Sequence, residues 1–270
     1  MERIVIPIDG AAKTGKDEVS TELAGRLRKL GLPFVVVSSG LLYRALAYAA
    51  LERGIIARDK LLRKGSALEL SIEAQNLMID LARTADFQYC IGETSRQEGL
   101  FASPAPVANM FFGGVNITRF LGSPIYGDGG SVVCRIKEVK QALSDRLRAV
   151  LPGTPLVMNG RDIGERVFPE AKLKIMLVAS DEEVSVRHER DLKPKGRPGT
   201  KAHQRLKSKV AHSLSLRRAS DACATPSLSR VTAARQEIPG KEFVVVHNQN
   251  GKLLEAVDRI VNALMQYGIV

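Results

Sequence analysis

The chain has 270 residues, 44% of them hydrophobic, with 40 Lys and Arg against 29 Asp and Glu, giving a net charge of +11. That length admits one α/β domain with an insertion or two domains, and the apolar share is ample for a packed core. Tryptophan is absent and aromatics are only 5%, so the core is expected to be aliphatic. Cys90, Cys134 and Cys223 lie far apart, and the four histidines (His188, His203, His212 and His247) show no ligand spacing. This excludes a disulfide framework and a zinc site and fits a reducing compartment. The basic balance suits a phosphate-rich ligand, and equally RNA or an acidic partner.

The sequence opens directly into a strand run, Arg3–Ile8, with no signal-peptide pattern, and no apolar run reaches membrane-spanning length. A soluble, cytoplasmic protein with no membrane contact is the expectation. A short loop and a helix from Asp17 to about Leu30 follow, ended by Gly31-Leu32-Pro33. Phe34–Val37 reads as a buried strand, Leu41 to about Arg53 as a helix, and Ser66–Ala85 as another. Phe87–Ile91 reads as a short strand. From Ser95 to Ser131 the composition shifts to Gly, Pro and Ser, and the reading is an irregular inserted subdomain or flap. Val132–Val150 is predicted helical, Pro155–Met158 and Leu173–Val178 as strands, and Asp181–Leu192 as a helix. Phe243–Val246 reads as a late strand and Lys252–Gln266 as a helix. Strands alternating with helices predict a parallel sheet covered on both faces, with ligands at the carboxyl ends of the strands.

The segment Ile4–Lys16 carries the chemistry. An apolar strand stops at Gly10, a short loop follows, and Gly15-Lys16 precedes an amphipathic helix. This is the layout of a phosphate-binding P-loop. Backbone N–H groups of such a turn point at an anion, and the helix dipole favours negative charge there. Gly10 and Gly15 permit the loop conformation, and Lys16 supplies a point charge for the outer phosphates. Asp17 and Glu18 stand where the pattern puts a small residue and a hydroxyl. Both acids stabilise the first helical turn, by about 0.3–1 kcal/mol each. Against a phosphate about 4 Å away, a carboxylate costs on the order of 4 kcal/mol at an effective dielectric of ~20. A bridging Mg2+ reverses that sign, because carboxylate and phosphate oxygens are both good ligands for it.

A second feature is the basic stretch Lys193–Lys209, where Lys193, Lys195, Arg197, Lys201, Arg205, Lys207 and Lys209 meet little acid, with Arg190 just before it. Three readings stay open: a lid over a triphosphate, an electrostatic footprint for RNA or another polyanion, and a solvated charged loop. The stretch contains no aromatic residue, which disfavours base stacking.

Further blocks extend the pattern. Ser39-Gly40-Leu41-Leu42-Tyr43-Arg44 follows the second strand. Asn159-Gly160-Arg161-Asp162-Ile163-Gly164 follows a later one and leads into Val167-Phe168-Pro169-Glu170-Ala171. With the P-loop, these blocks resemble the bacterial cytidylate kinases, P-loop enzymes that move a phosphoryl group from ATP to CMP or dCMP. The blocks run nearly end to end, and Gly-Arg-Asp-Ile-Gly with its Val-Phe-Pro sequel is the most specific. The resemblance implies one P-loop kinase-like domain over residues 1–270. Its core is a five-stranded parallel sheet flanked by helices, with a monophosphate-binding insertion at about 86–131 and a basic lid at about 192–215. ATP and Mg2+ are the implied cofactors. Lys16 matches the lysine on the ATP phosphates, with Gly10, Gly15 and Asp17 beside it. Arg44 matches an arginine that holds the acceptor phosphate, and Arg161 and Asp162 match the pair on the CMP phosphate and base edge. Arg217 and Arg218 match catalytic arginines of the lid.

The departures are equally specific. Ser38 stands where the family carries an acid before the Ser/Thr-Gly pair, and Lys13 where its loop has a glycine. In the stretch Leu216–Pro226 the arginine expected just beyond Asp221 reads as alanine or cysteine. Losing one arginine of this kind costs several orders of magnitude in phosphoryl-transfer rate. Two functions are therefore expected from the sequence. One is a nucleoside monophosphate kinase of pyrimidine metabolism. The alternative is a catalytically inactive relative with a binding or assembly role on RNA or another polyanion.

Overall fold

The computed structural model describes residues 3–92, 105–191 and 243–270. The basic stretch Lys193–Lys209, the expected lid and both lid arginines, Arg217 and Arg218, lie outside them.

The first half of the chain gives β1 (Val5–Gly10), α1 (Lys16–Lys29), β2 (Val35–Ser38), α2 (Ser39–Glu52), α3 (Arg58–Lys64), a 3-10 turn (Gly65–Ala67) and α4 (Ile72–Thr84). Next come β3 (Phe87–Gly92), β4 (Val107–Phe112), β5 (Val115–Asn116), α5 (Pro124–Val133) and α6 (Lys137–Ala149). The last third holds β6 (Leu156–Gly160), a π-helical turn (Ile163–Val167), β7 (Lys174–Val178), α7 (Asp181–Asp191), β8 (Phe243–His247) and α8 (Leu253–Gln266).

Among the described residues the strands form one sheet in the order β3-β4-β2-β6-β1-β7-β8, with β5 paired to β4. From β4 to β8 every pairing is parallel, with Ile6 opposite Val157, Val37 opposite Met158 and Ile8 opposite Ile175. The core is therefore a parallel α/β sheet as expected, with six strands in the parallel run (β4, β2, β6, β1, β7 and β8) where the resemblance implied five. It carries an antiparallel ribbon, β3 against β4 and β4 against β5, at one edge.

Strand residues alternate between the faces, so each face builds its own core. Val35, Val37, Leu156 and Met158 pack with Leu42, Leu46, Met78, Leu81 and Leu143 of α2, α4 and α6. Ile6, Ile8, Val36, Val157, Ile175 and Leu177 pack with Leu23 and Leu27 of α1 and Val257 and Ile260 of α8. Burying each such side chain stabilises the fold by about 1.5–3 kcal/mol.

Three sequence expectations are corrected. The stretch read as irregular, Ser95–Ser131, contains β4, β5 and most of α5 in its described part. The glycines there let α5 lie close on α2: a Cβ on Gly129 would stand 2.7 Å from Ala47 Cβ. The predicted helix Ser66–Ala85 begins later, at Ile72, where Ser71 Oγ accepts the Ala74 N–H and caps it. The predicted helix Val132–Val150 is two helices, broken at Cys134–Ile136.

Candidate active site

The P-loop lies between β1 and α1, at the carboxyl end of the sheet. Gly15 caps α1 with φ of 87°, a left-handed conformation that costs glycine nothing. Lys13 is also left-handed, at φ 65°. That is the conformation a glycine adopts readily at this position, so the exchange to lysine keeps the loop shape at the cost of local strain. The loop is braced from behind. Arg187 Nη1 of α7 donates to Lys13 O at 3.3 Å, and Asn248 Nδ2 donates to Thr14 O at 2.8 Å. Arg187 Nη2 donates in turn to Asn248 O at 2.6 Å.

Lys16 folds back over the loop and donates from Nζ to Gly10 O at 2.8 Å and Ala11 O at 2.6 Å. Burial pushes its ammonium down to about 8, and the nearby Arg161 guanidinium pushes the same way; Asp17, Asp9 and Glu18 oppose them. Asp9, the residue before Gly10, is buried in β1 and accepts the N–H groups of Ile163 and Gly164, each at 2.8 Å. Burial pushes its carboxyl up to about 7; the two N–H bonds pull it down, and the charge of Asp162 adds to the rise. Asp9 thereby fastens the turn after β6 directly to the strand that carries the P-loop.

That turn holds Arg161 and Asp162. Asp162 is left-handed, at φ 62°. Its Oδ2 accepts from Lys140 Nζ of α6 at 2.7 Å, and Arg166 Nε lies at 3.8 Å. Among the described residues no donor reaches Asp162 Oδ1, although the atom is buried. A buried acceptor of this kind points to a ligand donor. On the opposite wall α2 presents Tyr43 and Arg44, and Arg44 Nη1 donates to Leu121 O at 3.4 Å. Burial raises the Tyr43 phenol well above its ordinary range, so it stays protonated.

These walls enclose a cavity of about 270 Å³. Gly15, Lys16, Asp17, Arg44, Arg161 and Asp162 all line it, and Gly10 lies beneath as the acceptor of the lysine. The structure thus gathers into one place every sequence-predicted site residue that it describes. It adds Tyr43, Lys140 and Asn159 to the lining. Lys140 had a legible signal: it sits at helical spacing with Leu143, Ser144 and Leu147, all buried, so a lysine occupies the buried face of α6.

The family model described as "Cytidylate kinase" matches residues 6–225. The chain belongs to the cytidylate kinase family. A cytidylate kinase of Alkaliphilus oremlandii is 32% identical over 196 residues, covering 73% of this chain and 74% of the relative. One of Pseudomonas entomophila is 32% identical over 192 residues, 71% of each chain. One of Geobacillus thermodenitrificans is 30% identical over 211 residues, 78% of this chain and 79% of that one. The matched span takes in β1 through α7, and so every described wall of the cavity. The bracing residue Asn248, with β8 and α8, lies beyond the cytidylate kinase match. No described helix is long and apolar enough to cross a membrane.

Proposed function

We propose that this protein is an ATP-dependent nucleoside monophosphate kinase that phosphorylates CMP or dCMP. The observation that carries this reading is the convergence of Lys16, Arg44, Arg161 and Asp162 on one cavity at the carboxyl ends of the strands. Two phosphate-binding elements face each other there: the P-loop on one wall, and the arginines of α2 and the β6 turn on the others.

The roles follow from charge and geometry. The P-loop N–H groups and Lys16 hold the outer phosphates of ATP. Arg44 and Arg161 hold the acceptor phosphate, a task suited to the planar, permanently charged guanidinium. Asp162, fixed by Lys140, offers the buried Oδ1 to a donor on the cytosine edge. Phosphoryl transfer needs little beyond positioning and charge neutralisation, so these contacts are the catalysis the described residues supply.

Mg2+ with ATP adds neutralisation of the transferred group. Among the described residues no three His, Cys, Asp or Glu side chains form a cage for a metal. Asp17 and Glu18 both offer carboxylates beside Lys16 on the cavity wall, and Asp17 is the one held by Asn159. One carboxylate completed by phosphates and water is the usual way Mg2+ is held with a nucleotide, so the residues fit it.

The test is a coupled assay with ATP and each monophosphate, run beside a direct binding measurement. Turnover of CMP or dCMP ahead of AMP, GMP and UMP supports the reading. Nucleotide binding without any turnover assigns the chain to the non-catalytic alternative. Binding of RNA or polyphosphate at low salt, falling steeply as salt rises, identifies a polyanion role.

A further inference from the structure

After the P-loop lysine the pattern puts a small residue and a hydroxyl that reaches Mg2+, and a carboxylate from a neighbouring strand completes the protein's share. Here those two helix positions are Asp17 and Glu18, both on the cavity wall. Facing Asp17, at the carboxyl end of β6, the strand paired with β1, stands Asn159. Asn159 Nδ2 donates to Asp17 Oδ1 and to Ser20 Oγ, at 3.1 Å each. Asn159 is 2% exposed and so held in place, while Asp17 is exposed, and both line the cavity.

Asp17 and Asn159 read as an exchange. The usual pair is a neutral oxygen on the helix and a carboxylate on the strand. This pair is a carboxylate on the helix and a neutral amide on the strand. A second carboxylate at 159, within hydrogen-bond distance of Asp17, would repel it, whereas the amide holds it and fixes its orientation. An acid at 17 would by itself repel phosphates, and a metal ion between them turns the repulsion into a bridge.

Resting on the kinase reading above, we propose that Asp17 is the Mg2+ ligand contributed by this chain at bound ATP, and that Asn159 is the positioning residue that aims it. The chain has relocated its metal carboxylate from the strand to the helix.

The experiment is calorimetric ATP binding to the full chain, with Mg2+ and with EDTA. The variants are Asp17→Asn, Asn159→Ala, and the double exchange Asp17→Ser with Asn159→Asp. Wild type is expected to bind ATP about tenfold more weakly without Mg2+. Asp17→Asn, a same-sized change at an exposed site, is expected to bind metal-free ATP more tightly than wild type and to lose most of the Mg2+ effect. Asn159→Ala is expected to lose part of the Mg2+ effect, less than Asp17→Asn loses, because it removes a group that orients the ligand and not the ligand itself. The double exchange is expected to restore it. With Mn2+ as the probe, the electron paramagnetic resonance spectrum of protein-bound Mn–ATP changes between wild type and Asp17→Asn.

An Mg2+ effect of equal size in wild type and Asp17→Asn, with an unaltered Mn2+ spectrum, overturns the metal assignment and leaves the kinase reading standing. Failure of wild type to bind ATP, with or without metal, overturns both.

Discussion

Lys140 Nζ donates to Asp162 Oδ2 at 2.7 Å, and the two side chains are only 10% and 8% exposed. The pair links α6 to the turn after β6 and leaves the other carboxylate oxygen with no donor among the described residues. A buried ion pair of this sort contributes little net stability while intact, but removing one partner leaves an uncompensated charge. Lys140→Met is therefore expected to destabilise the protein by about 3–5 kcal/mol in urea denaturation. The double variant with Asp162→Asn is expected to recover most of that loss. Equal stability of the single and double variants would show that the pair is not coupled.

On the proposed kinase reading, Arg161 distinguishes the acceptor site from the ATP site. Arg161→Ala would then remove a charge-assisted contact to the acceptor phosphate, a loss of about 1.5–3 kcal/mol. Titration calorimetry is expected to show CMP binding weakened about ten- to hundredfold and ATP binding much less. Equal weakening of both nucleotides would assign Arg161 a role in shaping the turn instead.

The charge on Lys16 sets a pH limit. Its ammonium is depressed to about 8 by burial and by Arg161. The sign is direct: phosphate binding needs the charged form, so ATP affinity of the free protein holds below about pH 8 and falls as pH rises through it. Arg161→Ala removes one of the depressing influences and moves the break to higher pH. A profile measured from pH 7 to 10 checks both statements. A break that stays put in the variant would separate the two residues electrostatically.

Asp9 produces a pH dependence of the same sign, in stability. Its carboxyl is raised from 3.8 to about 7, chiefly by burial. The folded protein therefore holds this proton more tightly than the unfolded chain does. Stability contributed here is present below about pH 4, is lost as pH rises toward 7, and is level above that. Asp9→Asn flattens this slope. It also turns an amide N–H toward one of the two backbone donors, at an overall cost of about 1–3 kcal/mol. Chemical denaturation at several pH values between 4 and 8 reads out both effects, and a wild-type slope retained in Asp9→Asn would place the titration elsewhere.

Much of this architecture was legible because period and punctuation agree. Apolar runs ending in Gly10, Ser38 and Gly160 read directly as parallel strands, and the residues just beyond them became the cavity walls. What escaped was structure built by close approach. Gly127, Gly129 and Gly130 sit within α5, where sequence reasoning sees a loop, because glycine is a poor helix former in isolation. The packing partner that favours glycine, Ala47 of α2, is far away in sequence. The hydrogen bonds Asp17–Asn159 and Asp9–Gly164 were hidden for the same reason. Spacing along the chain says nothing of which strand end faces which helix start until the strand order is known. That Asp17 is held by an amide was equally hidden, since its partner Asn159 lies 142 residues on.

The brace behind the P-loop has a consequence for how the protein is made. Asn248, which holds Thr14 O, and the α8 residues Val257 and Ile260, which cover Leu23 and Leu27 of α1, come from the last described segment of the chain. Arg26 of α1 also pairs with Asp258 of α8. On the ribosome the P-loop is synthesised long before β8 and α8, which support it. A nascent chain that stops short of β8 therefore carries the P-loop with Leu23 and Leu27 of α1 not yet covered by α8 and Thr14 O not yet held by Asn248. On the kinase reading proposed above, the nucleotide site is complete only once translation has passed Asn248 and α8 has docked.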